Sequence, residues 1–293
     1  MADAQRVIQA AASNPYFKAA VESNPAYVHA MGIRAIALAA QRDYPPAAAP
    51  LSPLHTDGAL DDWLNSMVIA QTAERDRQTS LLQLEELVRD CDNQIAGVLI
   101  APDPLLTLVA ADFDELMDEV RTALPGLKGA TDPTEAINLG AADHWKNLYA
   151  LRVRYDDIRA AQSLVIDGDD LGRQYRQSAK SSYLTDRGID DPLASDLAIA
   201  NLDDLWPSWR KPAAFGLDTR PVDGRPWPSE PVQQLVWLAS GNAEPWVPTL
   251  GELDALAVER KTAANPNPRV YPGITPAPIN SPRVINKPIH QVH

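Results

Sequence analysis

The sequence predicts a mainly α-helical protein: an antiparallel helical bundle, then an irregular Trp/Pro-rich region, then an extended C-terminal arm. Three observations carry this. Apolar residues recur at spacings of three and four through most of 57–205, the signature of amphipathic helices. Helix-start signatures, Asn or Asp followed by proline or Thr-x-x-Glu, stand in front of those runs. The 26 prolines of the 293 residues are clustered, so they mark particular irregular stretches.

Taken in order, residues 1–42 hold a short repeat, Ser13-Asn14-Pro15-Tyr16 and Ser23-Asn24-Pro25-Ala26-Tyr27. Each copy offers asparagine as an N-cap and proline at the first helical position, where a missing N–H does no harm. Three short helices are expected, the third running from Pro25 to about Gln41 with Val28, Ile33, Ile36 and Leu38 as its packing residues. Residues 43–56, with Pro45, Pro46, Pro50 and Pro53, form a linker or a strap.

The bundle core is assigned to 57–205. From Asp57 to about Val98, Leu60, Leu64 and Met67 share a face, and Leu81, Leu84, Val88, Cys91, Ile95 and Val98 continue the pattern. The polar stretch Gln71 to Ser80 between them fits one long helix with a solvated waist or two helices with a break. Asp103-Pro104 opens the next helix, with Leu105, Leu108, Val109, Phe113, Leu116, Val120 and Leu124 on one side, and Pro125-Gly126 stops it. Asp132-Pro133-Thr134-Glu135 opens a helix expected to reach about Ile166, carrying Trp145, Leu148, Leu151, Tyr155, Ile158 and Val165, with Gly168 at its end. Short connections between three such helices predict antiparallel neighbours. Two further helices are expected near Leu171–Thr185 and Leu193–Leu205.

The character changes at 206–264. Five tryptophans (Trp206, Trp209, Trp227, Trp237 and Trp246) and eight prolines fall before residue 249, with one helical run near Pro231–Ala239. Thr249-Leu-Gly-Glu252 is a capping box that opens a helix to about Ala264. Tryptophan offers a large apolar area and one N–H donor, so these five are read as glue between the irregular region and the bundle or a neighbouring subunit, and as partner-contact residues.

The arm, 265–293, has seven prolines and no acid, and could extend roughly 90 Å at polyproline spacing. It carries three basic residues, Arg269, Arg283 and Lys287, whereas residues 1–264 hold 23 basic and 39 acidic residues, so the charge is +3 on the arm and −16 on the rest. Opposite charge registers an association, and the spaced Tyr271, Ile274, Ile279, Ile285 and Ile289 supply anchors. These residues are expected to dock on an acidic helical surface of the same or a neighbouring subunit.

The net charge of −13 argues against direct nucleic-acid binding, which needs clustered Lys and Arg. The single cysteine, Cys91, allows neither an internal disulfide nor a cysteine metal site. The first ten residues lack a leader pattern and no run approaches the length of a membrane span, so a cytoplasmic site of synthesis and no membrane partner are expected.

No G-x-G-x-x-G or G-x-x-x-x-G-K-[ST] loop is present, so no nucleotide cofactor is implied. No glutamate has a histidine three positions on, and His29, His55, His144, His290 and His293 have no ligand spacing on a helix, so no metal is implied. Asp143-His144 lacks a serine in a nucleophile elbow. The acid pairs at 61–62, 85–86, 156–157, 169–170, 190–191 and 203–204 read as solvated faces and caps, because neighbours on a helix point about 100° apart. Asp167-Gly-Asp169-Asp170 lacks the rest of a calcium loop.

With no catalytic residue and no cofactor to assign, the sequence favours a non-enzymatic structural subunit of a protein assembly, expected as a homo-oligomer. The specific form expected is a tailed-phage virion protein, a head-to-tail connector or minor structural protein. A cytoplasmic adaptor or chaperone-like module is the alternative, and an enzyme with a site composed from residues such as Asp143, His144 and Asp156 stands third.

Overall fold

A computed structural model describes residues 4–46, 60–168, 170–186, 188–210 and 225–264, and the protein is mainly α-helical, with two isolated β-bridges and no longer strand among these residues. Three helices open the chain: α1 (Ala4–Ser13), α2 (Pro15–Glu22) and α3 (Pro25–Arg42). The two Asn-Pro steps act as the sequence indicates. Asn14 Oδ1 accepts the Phe17 N–H at 2.8 Å and Asn24 Oδ1 accepts the Ala26 N–H at 2.9 Å, satisfying donors that a first turn leaves open. Asn14 Nδ2 also donates to the Asp157 carbonyl at 2.7 Å, tying the start of α2 to a distant helix.

The packing face of α3 differs from the one expected. Val28, Ile36 and Leu38 are exposed, and Tyr27, Ala30 and Ala37 are buried instead. The small alanines let α3 lie close against α4 (Leu60–Gly97), and Arg34 Nε reaches Asp92 Oδ1 across the pair at 2.6 Å. α4 is one unbroken helix. Its polar middle is held by Glu74, which accepts from Arg77 at 3.0 Å and from Gln78 at 2.9 Å, both at helical spacing.

Much of the fully buried core lies between α5 (Asp103–Ala123) and α7 (Ala142–Ile166). Leu106, Val109, Phe113, Leu116 and Val120 meet Leu148, Tyr155, Ile158 and Val165, all essentially removed from solvent, each worth about 1.5–3 kcal/mol in transfer free energy. The Phe113 and Tyr155 rings lie 5.8 Å apart. After α5 the chain tightens into a 3₁₀ turn, Leu124–Leu127, and reverses through left-handed Lys128 (φ 53°) and Gly129 (φ 85°).

The single helix expected from Asp132 to Ile166 is in fact two. α6 (Pro133–Asn138) ends at Gly140, whose φ of 62° is a left-handed helix stop, and α7 begins afresh at Ala142. The start of α6 is capped by Asp132, which accepts from Glu135 N at 2.9 Å, while the Glu135 carboxylate turns back to Thr131 N and Oγ1 at 2.8 and 2.9 Å.

Beyond α7 the helices shorten to α8 (Asp170–Ala179), α9 (Ser182–Asp186), α10 (Leu202–Leu205), α11 (Pro231–Ala239) and α12 (Leu250–Ala264). Gly172 lets α8 fold back on the end of α7: a Cβ there would stand 2.0 Å from the Ile166 carbonyl oxygen. Thr249 and Glu252 cap α12 reciprocally, with Thr249 N donating to Glu252 Oε2 at 2.8 Å and Glu252 N to Thr249 Oγ1 at 3.2 Å. The chain divides into Met1–Asp254 and Ala255–His293. The expected arm, 265–293, and residues 47–59 of the proline-rich stretch and the start of the bundle lie outside the described residues.

Candidate functional site

A helix was expected at Leu193–Leu205, and only Leu202–Leu205 forms one. Leu193–Ile199 is buried at every position without being helical. Such a stretch needs partners for its own N–H and C=O groups, since orphaned ones are costly. They come from far along the chain. Asp196 N donates to the Ala179 carbonyl at 3.0 Å, Ala200 N to the Glu244 carbonyl at 2.9 Å and Trp246 N to the Ala198 carbonyl at 3.2 Å. The buried Gln162 of α7 donates to the Leu197 carbonyl at 3.0 Å. Arg159, also on α7, donates through Nη1 to the Leu197 and Trp246 carbonyls at 3.0 and 2.8 Å and through Nη2 to the Ala198 carbonyl at 3.2 Å. Its guanidinium stacks 4.3 Å from the Phe113 ring centroid and 5.1 Å from that of Tyr155.

The tryptophans complete this region, and several indole N–H groups find carboxylate or carbonyl acceptors. Trp227 Nε1 donates to Asp191 Oδ2 at 2.9 Å, Trp209 Nε1 to Asp203 Oδ1 at 2.7 Å and Trp246 Nε1 to the Asp196 carbonyl at 2.7 Å. Trp206 meets Trp227 edge-on at 5.6 Å, and Trp227 meets Trp237 at 5.7 Å. Asp191 also accepts from Arg225 at 3.1 Å and from Leu193 N at 3.0 Å. Asp191 and Asp203 therefore serve as acceptors for indole donors, a role beyond the solvated faces and caps expected for those two acid pairs.

Beside the buried stretch lies a cavity of about 390 Å³. Arg152, Arg159, Arg176 and Lys180 line it against two carboxylates, Asp156 and Asp190, and Ile166, Leu193 and Leu197 give it apolar walls. Arg152 is paired with Asp156 at 2.9 Å and bound to the Pro231 carbonyl at 2.9 Å. Lys180 Nζ donates to Asp190 Oδ1 at 2.8 Å. That hydrogen bond and the ammonium charge hold the Asp190 carboxyl below its ordinary range, with Arg176 adding to the effect. The α7 and α8 residues reach the cavity because α8 turns back at Gly172. The lining leaves positive charge in excess, so the arrangement suits an anion.

The sequence-predicted contact residues fall into three groups. Trp206, Trp209 and Trp227 are buried within the chain's own core. Their area is used where the fold lacks helical packing. Trp237 and Trp246 are partly buried. Arg269, Tyr271, Ile274, Ile279, Arg283, Ile285, Lys287 and Ile289 lie outside the described residues. Asp143, His144 and Asp156 are not brought together: the first two are exposed at the start of α7, and Asp156, roughly 20 Å further along the helix, is paired with Arg152. The His144 ring packs on Gly126, where a Cβ would sit 2.4 Å from Nδ1. Among the described residues no three His, Cys, Asp or Glu side chains are grouped to hold a metal ion, and no helix is long and apolar enough to cross a membrane.

Sequence reasoning passed over Arg159, Arg176 and Lys180, and it read Asp190 only as half of a solvated or capping acid pair. None stands in a local motif, and the signal that joins them is purely spatial. No protein-family model, curated protein or solved structure matches the chain.

Proposed function

We propose that the protein is a structural subunit of a larger assembly, self-associating through α4. One observation carries this reading: α4 is 38 residues long, about 57 Å at 1.5 Å per residue, yet only Cys91 and Ile95 within it are buried. Leu60, which opens the apolar seam of α4, is 69% exposed, and Leu64 on its flank is 47% exposed. Leu60, Trp63, Met67, Ala70, Glu74, Arg77, Leu81, Leu84, Val88, Cys91 and Ile95 alternate at three and four residues, a heptad seam that runs well beyond its buried end. A second copy of the same helix is the matching occupant. Glu74 and Arg77, opposite charges in mid-seam, suit a self-complementary contact across a two-fold axis.

The narrower form of the reading is a virion protein of a tailed phage, a head-to-tail connector or minor structural protein whose basic arm lies on the acidic body of a neighbour. Its support is the combination of a −16 body, a Trp-rich irregular region and a +3 arm with spaced apolar anchors. Native mass spectrometry of the full chain and of a chain ending at residue 264 tests both forms. An oligomer that Leu64→Glu dissociates, and that loses subunits or stability when the arm is removed, is the expected result. A strict monomer, unchanged by removal of the arm, overturns the reading.

The cavity beside Arg159 favours a second reading, a cytoplasmic adaptor or chaperone-like binding module. Recovery of one heterologous partner from the native host, without self-assembly, would select it.

A further inference from the structure

Arg159 is a cation with no carboxylate partner among the described residues, in a chain of net charge −13. Its bonds to protein occupy only part of the guanidinium. Nη1 is shared by Gln162 Oε1 and two carbonyls, and Nη2 gives one hydrogen to the Ala198 carbonyl. The donors left are Nε–H, which is buried without an acceptor, and the second Nη2 hydrogen. Nε and Nη2 share one edge of the planar group, the fork that receives two oxygens of a carboxylate or phosphate.

A second guanidinium adds to this. Arg176 Nε is likewise buried without a hydrogen bond, although it stands 3.1 Å from Asp167 Oδ1 as an ion pair. Both arginines line the same cavity as Lys180, whose partner Asp190 is exposed and open to exchange. Together with Arg152, these three cations line one concave space against only two carboxylates, Asp156 and Asp190, a larger positive lining than stapling of the buried stretch requires. The volume of about 390 Å³ lies within the range of small-molecule sites.

We propose that this cavity binds a small organic anion. Its carboxylate or phosphate oxygens are held by Arg159, Arg176 and Lys180, and its apolar part rests on Ile166, Leu193 and Leu197. Lys180 exchanges Asp190 for the ligand. The site is independent of the α4 contact and stands whether or not the protein assembles.

Calorimetric titration of the full chain with phenyl phosphate, benzoate and neutral phenol tests the proposal. Saturable one-site binding of phenyl phosphate or benzoate is expected, with phenol silent, and the tighter of the two identifies phosphate or carboxylate as the natural group. Arg176→Gln and Lys180→Gln, at partly exposed positions that keep the fold, should each weaken binding about tenfold or more. Lys146→Gln, an exposed position away from the cavity, should not. Arg159→Lys should weaken binding as well, but it also loses backbone contacts, so the two rim variants carry the decision. No saturation with either anion up to ~10 mM, or unchanged affinity in both rim variants with unaltered melting, would overturn the proposal.

Discussion

The pairing of α5 with α7 and the irregular stretch that includes 188–210 and 225–247 are both buried, but they solve burial differently. In the helical pair every internal N–H and C=O is satisfied along its own helix, so side chains have only to fill volume. Leu106, Leu116, Leu148 and Ile158 do so with no polar atoms at all. In the irregular stretch the backbone must be satisfied from outside. Arg159 and Gln162 supply donors to the Leu197 and Ala198 carbonyls, and Asp191 and Asp203 take up indole hydrogens. The first region is specified by shape and size, the second by individual donors and acceptors.

This contrast can be broken by substitution. The largest effect is expected for Trp227→Ala, which removes the ring between Trp206 and Trp237 and should cost about 3–5 kcal/mol in denaturant unfolding. Leu148→Met, a volume-conserving change in the helical pair, should cost under about 1.5 kcal/mol. Equal costs at the two sites would remove the distinction.

Asp191 sharpens it. Asp191→Ala leaves the Trp227 indole and the Leu193 N–H without their acceptor and should cost about 1–3 kcal/mol. Asp191→Asn, which keeps one acceptor oxygen, should recover part of that loss. If both substitutions are neutral in the same unfolding measurement, the polar anchors do not specify the irregular region.

The smallest effect lies outside the irregular stretch, at Tyr175 on α8. Burial, together with the hydrogen bond to Asp254, pushes the Tyr175 phenol up to about 12, and the Asp103 charge adds to this. The folded state thus holds the phenolic proton more tightly than the unfolded chain, whose tyrosines titrate near 10. The corresponding stability is fully present below about pH 10 and is lost as pH rises from about 10 towards 12. Tyr175→Phe should flatten the fall in stability over that interval, measured by unfolding at pH 9 and pH 11. An unchanged slope would mean that Tyr175 is not the group responsible.

Helix starts were readable in advance wherever the interaction spans two to four residues. Asn14, Asn24, Asp132 and Thr249 all cap as their neighbours imply, because the acceptor and the N–H it serves lie within one turn. Stops were harder. Gly140 ends α6 in the middle of an apolar pattern that continues on both sides, and periodicity alone passes over such a break. The faces of α3 misled for another reason: small alanines, which make poor hydrophobic signals, are what allows the close approach to α4. At Leu193–Leu205 the apolar spacing resembles a helix, yet a segment surrounded by protein can bury the same residues in turns once other elements satisfy its backbone.

By itself, the sequence determined the helical character, the positions of most helix starts and the opposition of charge between body and arm, while leaving open whether 57–98 holds one helix or two. These follow from short-range steric and hydrogen-bonding rules and from composition. Only the tertiary structure decided that three tryptophans belong to the core, that Asp191 and Asp203 are anchors, and that Arg159, Arg176 and Lys180 share one cavity. Arg159 meets carbonyls 38, 39 and 87 residues away. Contacts at that separation depend on how the helices pack, which no local pattern encodes.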